Sequence, residues 1–394
     1  MKQRLLFVID SLNVGGAEKS LLTLLSLLDY SRYDVDLQLF GYGGVLEKYL
    51  PKEVKLLPQL PFCRFLSLPR WRQLASLELK KLWSGWRFSH AIKHPGITHA
   101  DRARLYWSFF SKYFGVTPHY DCAIAYSQNL PTLYVAEKVS AKKKIAWVNV
   151  KCNLNEKNKK FYEPHYRSYD KIVTVSESSR DEFIQVYPQF SDNIKVIHDI
   201  IDPRTIIKMA EEDSSICLRT DVPSLLTMAR LNRPQKGYDI SLEAARLLKE
   251  RGVNYCWYAL GEGPYRMEME QFICENHLED TFVLLGTMAN PYPVLKQCRL
   301  YVQTSRHEGF GLSIAEARIL NKPVVTTEFD AVYEQMVPGK NGLVVPQDPV
   351  AVADAIERLL NDKILYENIV KYQCQEKKGN IEEIKKFYNQ LSLI

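Results

Sequence analysis

"CRLYVQTSRHEGFGLSIAEA", residues 298 to 317, decides how the rest of the chain is read. The run "CRLYVQTS" has the apolar density of a buried strand, and "LSIAEARIL", which follows from Leu312, has the spacing of a helix. Between them stand Glu308 and the triplet Gly309-Phe310-Gly311. Glycine loses more conformational freedom on folding than any other residue, so two of them here point to a close approach of backbone or an unusual φ. Glu308 then falls in a strand-to-helix turn, and Glu316 about one turn inside the helix. In a parallel α/β sheet such a turn lies at the carboxyl edge, where anionic ligands meet helix N-termini.

Working outward, β-rich runs alternate with amphipathic stretches almost end to end. The first half offers "RLLFVI", "VDLQLF", "DCAIAY", "KIAWV", "KIVTV" and "KVI"; the second offers "SLLTMA", "YCWYAL", "TFVLLG", "RLYVQTS", "PVVTT" and "GLVVP". Helical patterns lie between, among them "AEKSLLTLLSLL" and "DISLEAARLLKERG", the latter closing on Gly252. Alternation of this kind predicts parallel sheets with helices on both faces. Twelve strands are too many for one doubly wound sheet. The expectation is therefore an α/β chain with two Rossmann-like doubly wound domains of about six strands each. The join falls in "DIIDPRTIIKMAEEDSSICLRTDVPS", where strand pattern stops near Ile197 and resumes at Ser224. This gives a first domain over 1–200, a second over 201–378, and a final helical stretch over 379–394.

Composition narrows the class. With 394 residues, 46% hydrophobic and 25% charged, the chain reads as an ordinary globular protein of two to three domains. Its longest apolar run, "LLTLLSLL", is far short of a membrane span. "MKQRLLFVIDSLN" reads as a first strand rather than a signal peptide. Eight cysteines without a CxxC pair suit a reducing compartment, so a cytoplasmic location is expected. The net charge of +6 is uneven: residues 62–118 hold ten Lys and Arg against Glu78 and Asp101. The same segment holds Trp71, Trp83, Trp86 and Trp107, four of the six tryptophans. Core helices with solvated cations would explain it; so would a face that meets anionic lipid, with tryptophan at the interface. The second reading is favoured, giving peripheral association with the inner membrane surface. No signature of a nucleic-acid module accompanies the basic residues.

Three stretches of the second domain carry chemistry. "ARLNRPQKGYD" follows a strand and sets Arg230 and Lys236 six apart, a planar fork and a point charge suited to phosphate oxygens. "GEGPYR" places Gly261 at another strand's carboxyl end. In the opening stretch, the amides of Gly309 and Gly311 stand at a helix N-terminus. A carboxylate such as Glu316 beside a phosphate makes sense if it accepts hydrogen bonds from hydroxyls. The ligand so described has both phosphates and sugars: a nucleotide-sugar. In the first domain, "SLNVGGAEKS" brings Gly15 and Gly16 to the start of a helix, but it is neither a Walker A loop nor a dinucleotide fingerprint. "DVD" at 34–36 belongs to a strand pattern, and His90, His94 and His99 read as surface residues, so no metal site is expected.

"GGAEKSL", "ARLNRPQKGYD", "GEGP" and "EGFGLSIAEA" followed by "NKPVVTT" resemble the retaining glycosyltransferases of the glycogen-synthase and sucrose-synthase superfamily, a family 4-like group. The capsule and surface-polysaccharide branch is the nearest in appearance. The resemblance implies the GT-B fold, two Rossmann-like domains facing across a cleft, with the last helix returning to the first domain. It implies that Arg230 and Lys236 bind the donor diphosphate, that Glu308 contacts the donor sugar and that Glu316 holds the ribose hydroxyls. It also implies that amides at Phe310, Gly311 and Leu312 face sugar and phosphate. Gly286, Thr287 and Met288 are expected to meet the base through backbone. The family often has a histidine after the strand "KIAWV"; Asn149 stands there instead. An amide can contact a sugar hydroxyl of donor or acceptor but cannot shuttle a proton near neutral pH.

The function so implied is transfer of a hexose-type sugar, with retention, from a nucleoside diphosphate-sugar (UDP expected) to a hydroxyl. The acceptor expected is a glycan or lipid-linked glycan of surface polysaccharide synthesis. Glu308, Arg230 and Lys236 form the catalytic set, without metal or cofactor. Two alternatives stay open: a non-catalytic partner subunit of this fold, and a nucleotide-sugar epimerase.

Overall fold

The computed structural model describes residues 2–76, 78–94, 96–150 and 154–391. Seven parallel strands form the first sheet: β1 (Gln3–Ile9), β2 (Tyr33–Leu39), β3 (Val54–Leu56), β4 (Tyr120–Ala125), β5 (Ala141–Val148), β6 (Lys171–Thr174) and β7 (Ile194–Val196). Their order is β3-β2-β1-β4-β5-β6-β7. Six more form the second: β8 (Ser224–Met228), β9 (Cys256–Leu260), β10 (Phe282–Gly286), β11 (Leu300–Gln303), β12 (Val324–Thr327) and β13 (Gly342–Val345), ordered β10-β9-β8-β11-β12-β13. The strands read as continuous apolar runs because helices cover both faces of a parallel sheet. Leu5, Leu6, Phe7, Val8 and Ile9 of β1 are all buried, as is every residue of β8.

The sequence pattern offered twelve strands, and the described residues hold thirteen. The addition is β3, three residues of which only Val54 is buried, too short to show any period. The stretch between β7 and β8 holds a helix, Pro203–Ala210, whose first turn is tied by Arg204 N–H donating to the Asp202 carboxylate at 3.0 Å. Helix Tyr238–Glu250 ends on Arg251, and Gly252 follows it at φ +70°.

The chain divides into two compact units, Met1–Asp199 with Glu382–Ile394, and Ile200–Ile381. The last helix, Ile384–Leu391, thus belongs to the first unit. Phe387 packs between Phe7 and Trp147, and Tyr388 stacks on Tyr33 and donates to the Leu27 carbonyl at 3.1 Å. Residues 62–118 fold largely as helices, with Pro61–Ser67, Arg70–Ala75, Leu79–Ala91 and His99–Phe110. The last of these starts on a capping box: Thr98 accepts from Asp101 N–H at 3.1 Å while Asp101 accepts from Thr98 N–H at 3.2 Å. Phe62, Phe65, Trp107, Phe110 and Phe114 join the core.

Candidate active site

Strand order locates the site before any side chain does. In the second unit the chain lays β8, then β9 and β10 on one side, then crosses to put β11 on the other. The loops leaving β8 and β11 therefore diverge at their carboxyl ends and leave a crevice, the usual ligand position in an open α/β sheet. Those are the loops that hold Arg230 with Lys236, and Glu308.

Lys236 ends a short helix, Arg233–Lys236, capped by the Asn232 side-chain Oδ1 accepting from Gln235 N–H at 3.2 Å. The next residue, Gly237, has φ +61° and lies so near β11 that a Cβ would stand 2.0 Å from the Thr304 carbonyl oxygen. Thr304 Oγ1 donates to the carbonyls of Lys236 at 3.2 Å and Gly237 at 2.9 Å, and Arg306 N–H donates to Gln235 O at 2.8 Å. The two loops are laced together by backbone. Only glycine fits at 237.

This lacing puts Lys236 Nζ 2.7 Å from both oxygens of Glu308. The pair is mostly withdrawn from solvent, with side-chain exposures of 17% and 10%. Ser305 Oγ at 2.6 Å and Gln303 Nε2 at 2.9 Å also donate to Glu308 Oε1. Gln303 is itself oriented, because its Oε1 accepts from Tyr301 at 3.0 Å and Ser313 at 2.8 Å. Glu308 Oε1 thus receives three donors and Oε2 one. An ionised carboxylate has about four acceptor positions and an ammonium three donors. Oε2 and the third Lys236 proton are the places for a hydroxyl and an anionic oxygen. Arg230 is exposed and, among the described residues, makes no ion pair.

Gly311, at φ +85°, is the N-cap of helix Leu312–Ile319. Gln335 holds this turn by donating to the carbonyls of Phe310 and Gly311, the latter at 3.2 Å. The first amides of a helix have no partner within the helix, so this turn offers N–H groups at its start. Gly309, Phe310 and Leu312 are half-buried. Glu316, inside the helix, is only 3% exposed, which excludes a solvated helix-surface carboxylate. Its Oε1 accepts from the Tyr292 hydroxyl at 2.9 Å.

Residues 222–362 match the family described as Glycosyl transferases group 1. Two curated relatives share 32% identity with parts of the chain. One is the alpha-D-kanosaminyltransferase of Streptomyces kanamyceticus, over 38% of this chain and 39% of that one. The other is the poly(ribitol-phosphate) alpha-N-acetylglucosaminyltransferase of Staphylococcus aureus, over 34% and 27%. The match thus spans well under half the length of these relatives. Anabaena HepE, solved with UDP and glucose, covers 100% of both chains at TM-score 0.70 and 20% identity. The chain accordingly has the GT-B fold, two Rossmann-like units.

Within the matched stretch, Arg230, Lys236, Glu308, Gly309, Phe310, Gly311, Leu312 and Glu316 all belong to the loops at the β8/β11 crossover or to the helix after β11. Gly261 stands after β9 for a structural reason: at φ +156° a Cβ would lie 2.0 Å from the Ala229 carbonyl oxygen, and its N–H donates to Gly286 O at 2.7 Å. Gly286 ends β10 at φ +75°, followed by exposed Thr287 and half-buried Met288.

Gly15, Gly16 and Asn149 lie in the first unit. Gly15 caps helix Gly16–Ser26 with extended backbone. Asn149, after β5, donates from its amide nitrogen to the Tyr126 carbonyl at 2.6 Å, while its Oδ1 is buried and, among the described residues, has no hydrogen-bond partner. Asp10 and Ser127, which no motif reading singled out, meet at 2.8 Å across the β1/β4 crossover. Burial pushes the Asp10 carboxyl up to about 6 against the pull of Ser127. Gln303, Ser305 and Tyr292 also went unread. The first two flank the motif by a few residues, and Tyr292 reaches Glu316 only through the fold.

Proposed function

We propose that this chain is a retaining, metal-independent hexosyltransferase. It would move sugar from a UDP-sugar to a hydroxyl of a lipid-linked glycan in surface polysaccharide synthesis. One observation carries the reading: the Lys236–Glu308 pair, 2.7 Å apart, at the β8/β11 crossover, where the loop after β8 also carries the exposed Arg230. When the bond from the anomeric carbon to the β-phosphate oxygen breaks, charge grows on the diphosphate. Arg230, the third Lys236 proton and the amides at Gly311 and Leu312 meet that charge, the kind of term that is usually largest in such reactions. Glu308 Oε2 accepts a hydroxyl of the donor sugar and fixes the ring. Glu316 takes the ribose hydroxyls, and Gly286 to Met288 meet the base. The acceptor oxygen forms the new bond, and its proton passes to the departing phosphate. That route asks no side chain to act as base, which suits Asn149 with its amide nitrogen already engaged.

Support for retention comes from the names of the two relatives, both of which specify alpha-linked sugars. Support for UDP comes from the nucleotide bound in the HepE structure. The test is UDP release from UDP-glucose and UDP-N-acetylglucosamine, with GDP- and ADP-sugars as controls. Release with a UDP-sugar, lost in Lys236→Ala, is the expected result. No release with any donor would favour the non-catalytic partner reading.

A further inference from the structure

All three exposed tryptophans of the described residues fall between positions 71 and 86: Trp71 is 64% exposed, Trp83 58% and Trp86 67%. Two of them share a helix, Leu79–Ala91, with Leu79, which is 72% exposed. At about 100° per residue, positions 79, 83, 86 and 90 fall within an arc of roughly 60°. The outward stripe of this helix is therefore Leu79, Trp83, Trp86 and His90, with His90 stacked on Trp86. The opposite face is spent on packing. Phe88 meets Tyr106 and Phe110 edge-on, and the Ser84 hydroxyl lies 3.0 Å from that of Tyr113. The stripe is thus not core that failed to pack; the core face of the same helix is filled.

Exposed cations border it. Lys80 and Arg87 lie along one edge of the stripe, and Arg87 rides over the Trp83 ring at 4.7 Å. Arg70 and Arg72 accompany Trp71 on the preceding helix, and both are exposed. Among the described residues, no helix is long and apolar enough to cross a membrane. Tryptophan and leucine on one face with lysine and arginine beside them is the composition of a helix that lies in a bilayer interface.

We propose that helix Leu79–Ala91 docks the first unit on an anionic lipid bilayer, Leu79, Trp83 and Trp86 entering the headgroup region and Lys80 and Arg87 meeting lipid phosphates. This deepens the lipid-linked acceptor reading by naming the surface that would bring the chain to its acceptor. It does not depend on the donor site.

The experiment is co-sedimentation of the full chain with vesicles of phosphatidylcholine alone and vesicles containing phosphatidylglycerol, at low and high salt. Nucleotide-induced thermal shift is read on the same preparations. Wild type should sediment with the anionic vesicles, and less at high salt. Trp83→Ser/Trp86→Ser should lose binding at both salts. Lys80→Glu/Arg87→Glu should lose about tenfold or more at low salt, since each cation near an anionic surface contributes about 1 kcal/mol. Both variants alter exposed residues and should keep the wild-type melting midpoint. Wild type remaining in the supernatant with both vesicles overturns the proposal, as does unchanged binding by the tryptophan variant. A gel shift with RNA in the absence of vesicle binding would overturn it in favour of a nucleic-acid face. Loss of the nucleotide shift alone would count against the donor site and leave the membrane result standing.

Discussion

Lys236 Nζ lies 2.7 Å from each carboxylate oxygen of Glu308, two residues 72 positions apart on different loops. Neither half is free to be removed alone. Glu308→Gln keeps the shape but loses the charge that orders the lysine, and should lower kcat/KM about a hundredfold, the scale of one lost charge-stabilising contact. Lys236→Met should lower it as far. Steady-state kinetics of the two single variants and the double would show effects that do not add, because the two side chains act as one unit.

Gln303 is buried and orients Glu308 by donating to its Oε1 at 2.9 Å. Gln303→Leu removes one donor to Glu308 and strands the Tyr301 and Ser313 hydroxyls that now donate to its carbonyl oxygen. A fall in kcat of about tenfold is expected, with stability reduced by about 1–3 kcal/mol for the buried groups left unpaired. Gln303→Glu, which sets a second carboxylate against Glu308, should fall further, and more steeply as pH rises.

Gly237 and Gly252 have similar positive φ, +61° and +70°, but different surroundings. A Cβ at 237 meets the Thr304 carbonyl oxygen at 2.0 Å, whereas at 252 nothing lies within 4 Å. Gly252→Ala should cost about 1 kcal/mol of stability and no activity. Gly237→Ala should shift Lys236 off Glu308 and abolish transfer; activity and melting midpoints of both variants check this.

Glu383 ties the return of the chain to the first unit. Burial would raise its pKa, yet hydrogen bonds from His198 and Lys386 outweigh this and hold it at about 2. A carboxylate depressed below its ordinary 4.5 contributes stability above pH 4.5, and loses it as pH falls toward 2. Asp199, pushed up to about 6 by burial, acts in the opposite sense, its protonation favouring the fold between pH 6 and 3.8. The melting midpoint should therefore hold or rise slightly from pH 6 to 4.5 and drop below that. Glu383→Gln should remove its own share of the drop, leaving that of other carboxylates held low, such as Asp101 and Asp239.

Metal independence is tested directly by EDTA. On the proposed roles of Arg230, Lys236 and the backbone amides at the diphosphate, the transfer rate should be unchanged within error after chelation and on adding magnesium or manganese. A rate restored only by added metal would contradict it.

The fold was legible because buried parallel strands such as "RLLFVI" are unbroken apolar runs, and because helices between them keep their period. β3 was not, since three residues with one buried side chain carry no pattern. The crossover loops were legible through Glu308, Gly311, Arg230 and Lys236, which sit in short motifs. Tyr292 on Glu316, Asp10 on Ser127 and Gln335 on the Phe310 turn were not, because each contact joins residues brought together only by the sheet. The tryptophans of residues 62–118 show the same limit. Their number is plain from composition, but only packing separates Trp107, in the core, from Trp83 and Trp86, outside it.

The donor site is tested most directly by thermal shift with UDP, GDP and ADP on wild type and on Glu316→Ala. UDP should raise the wild-type midpoint more than GDP or ADP, and the rise should be much smaller in the variant. If none of the three nucleotides moves the wild-type midpoint, the assignment of the β8/β11 crossover as a nucleoside diphosphate site is contradicted.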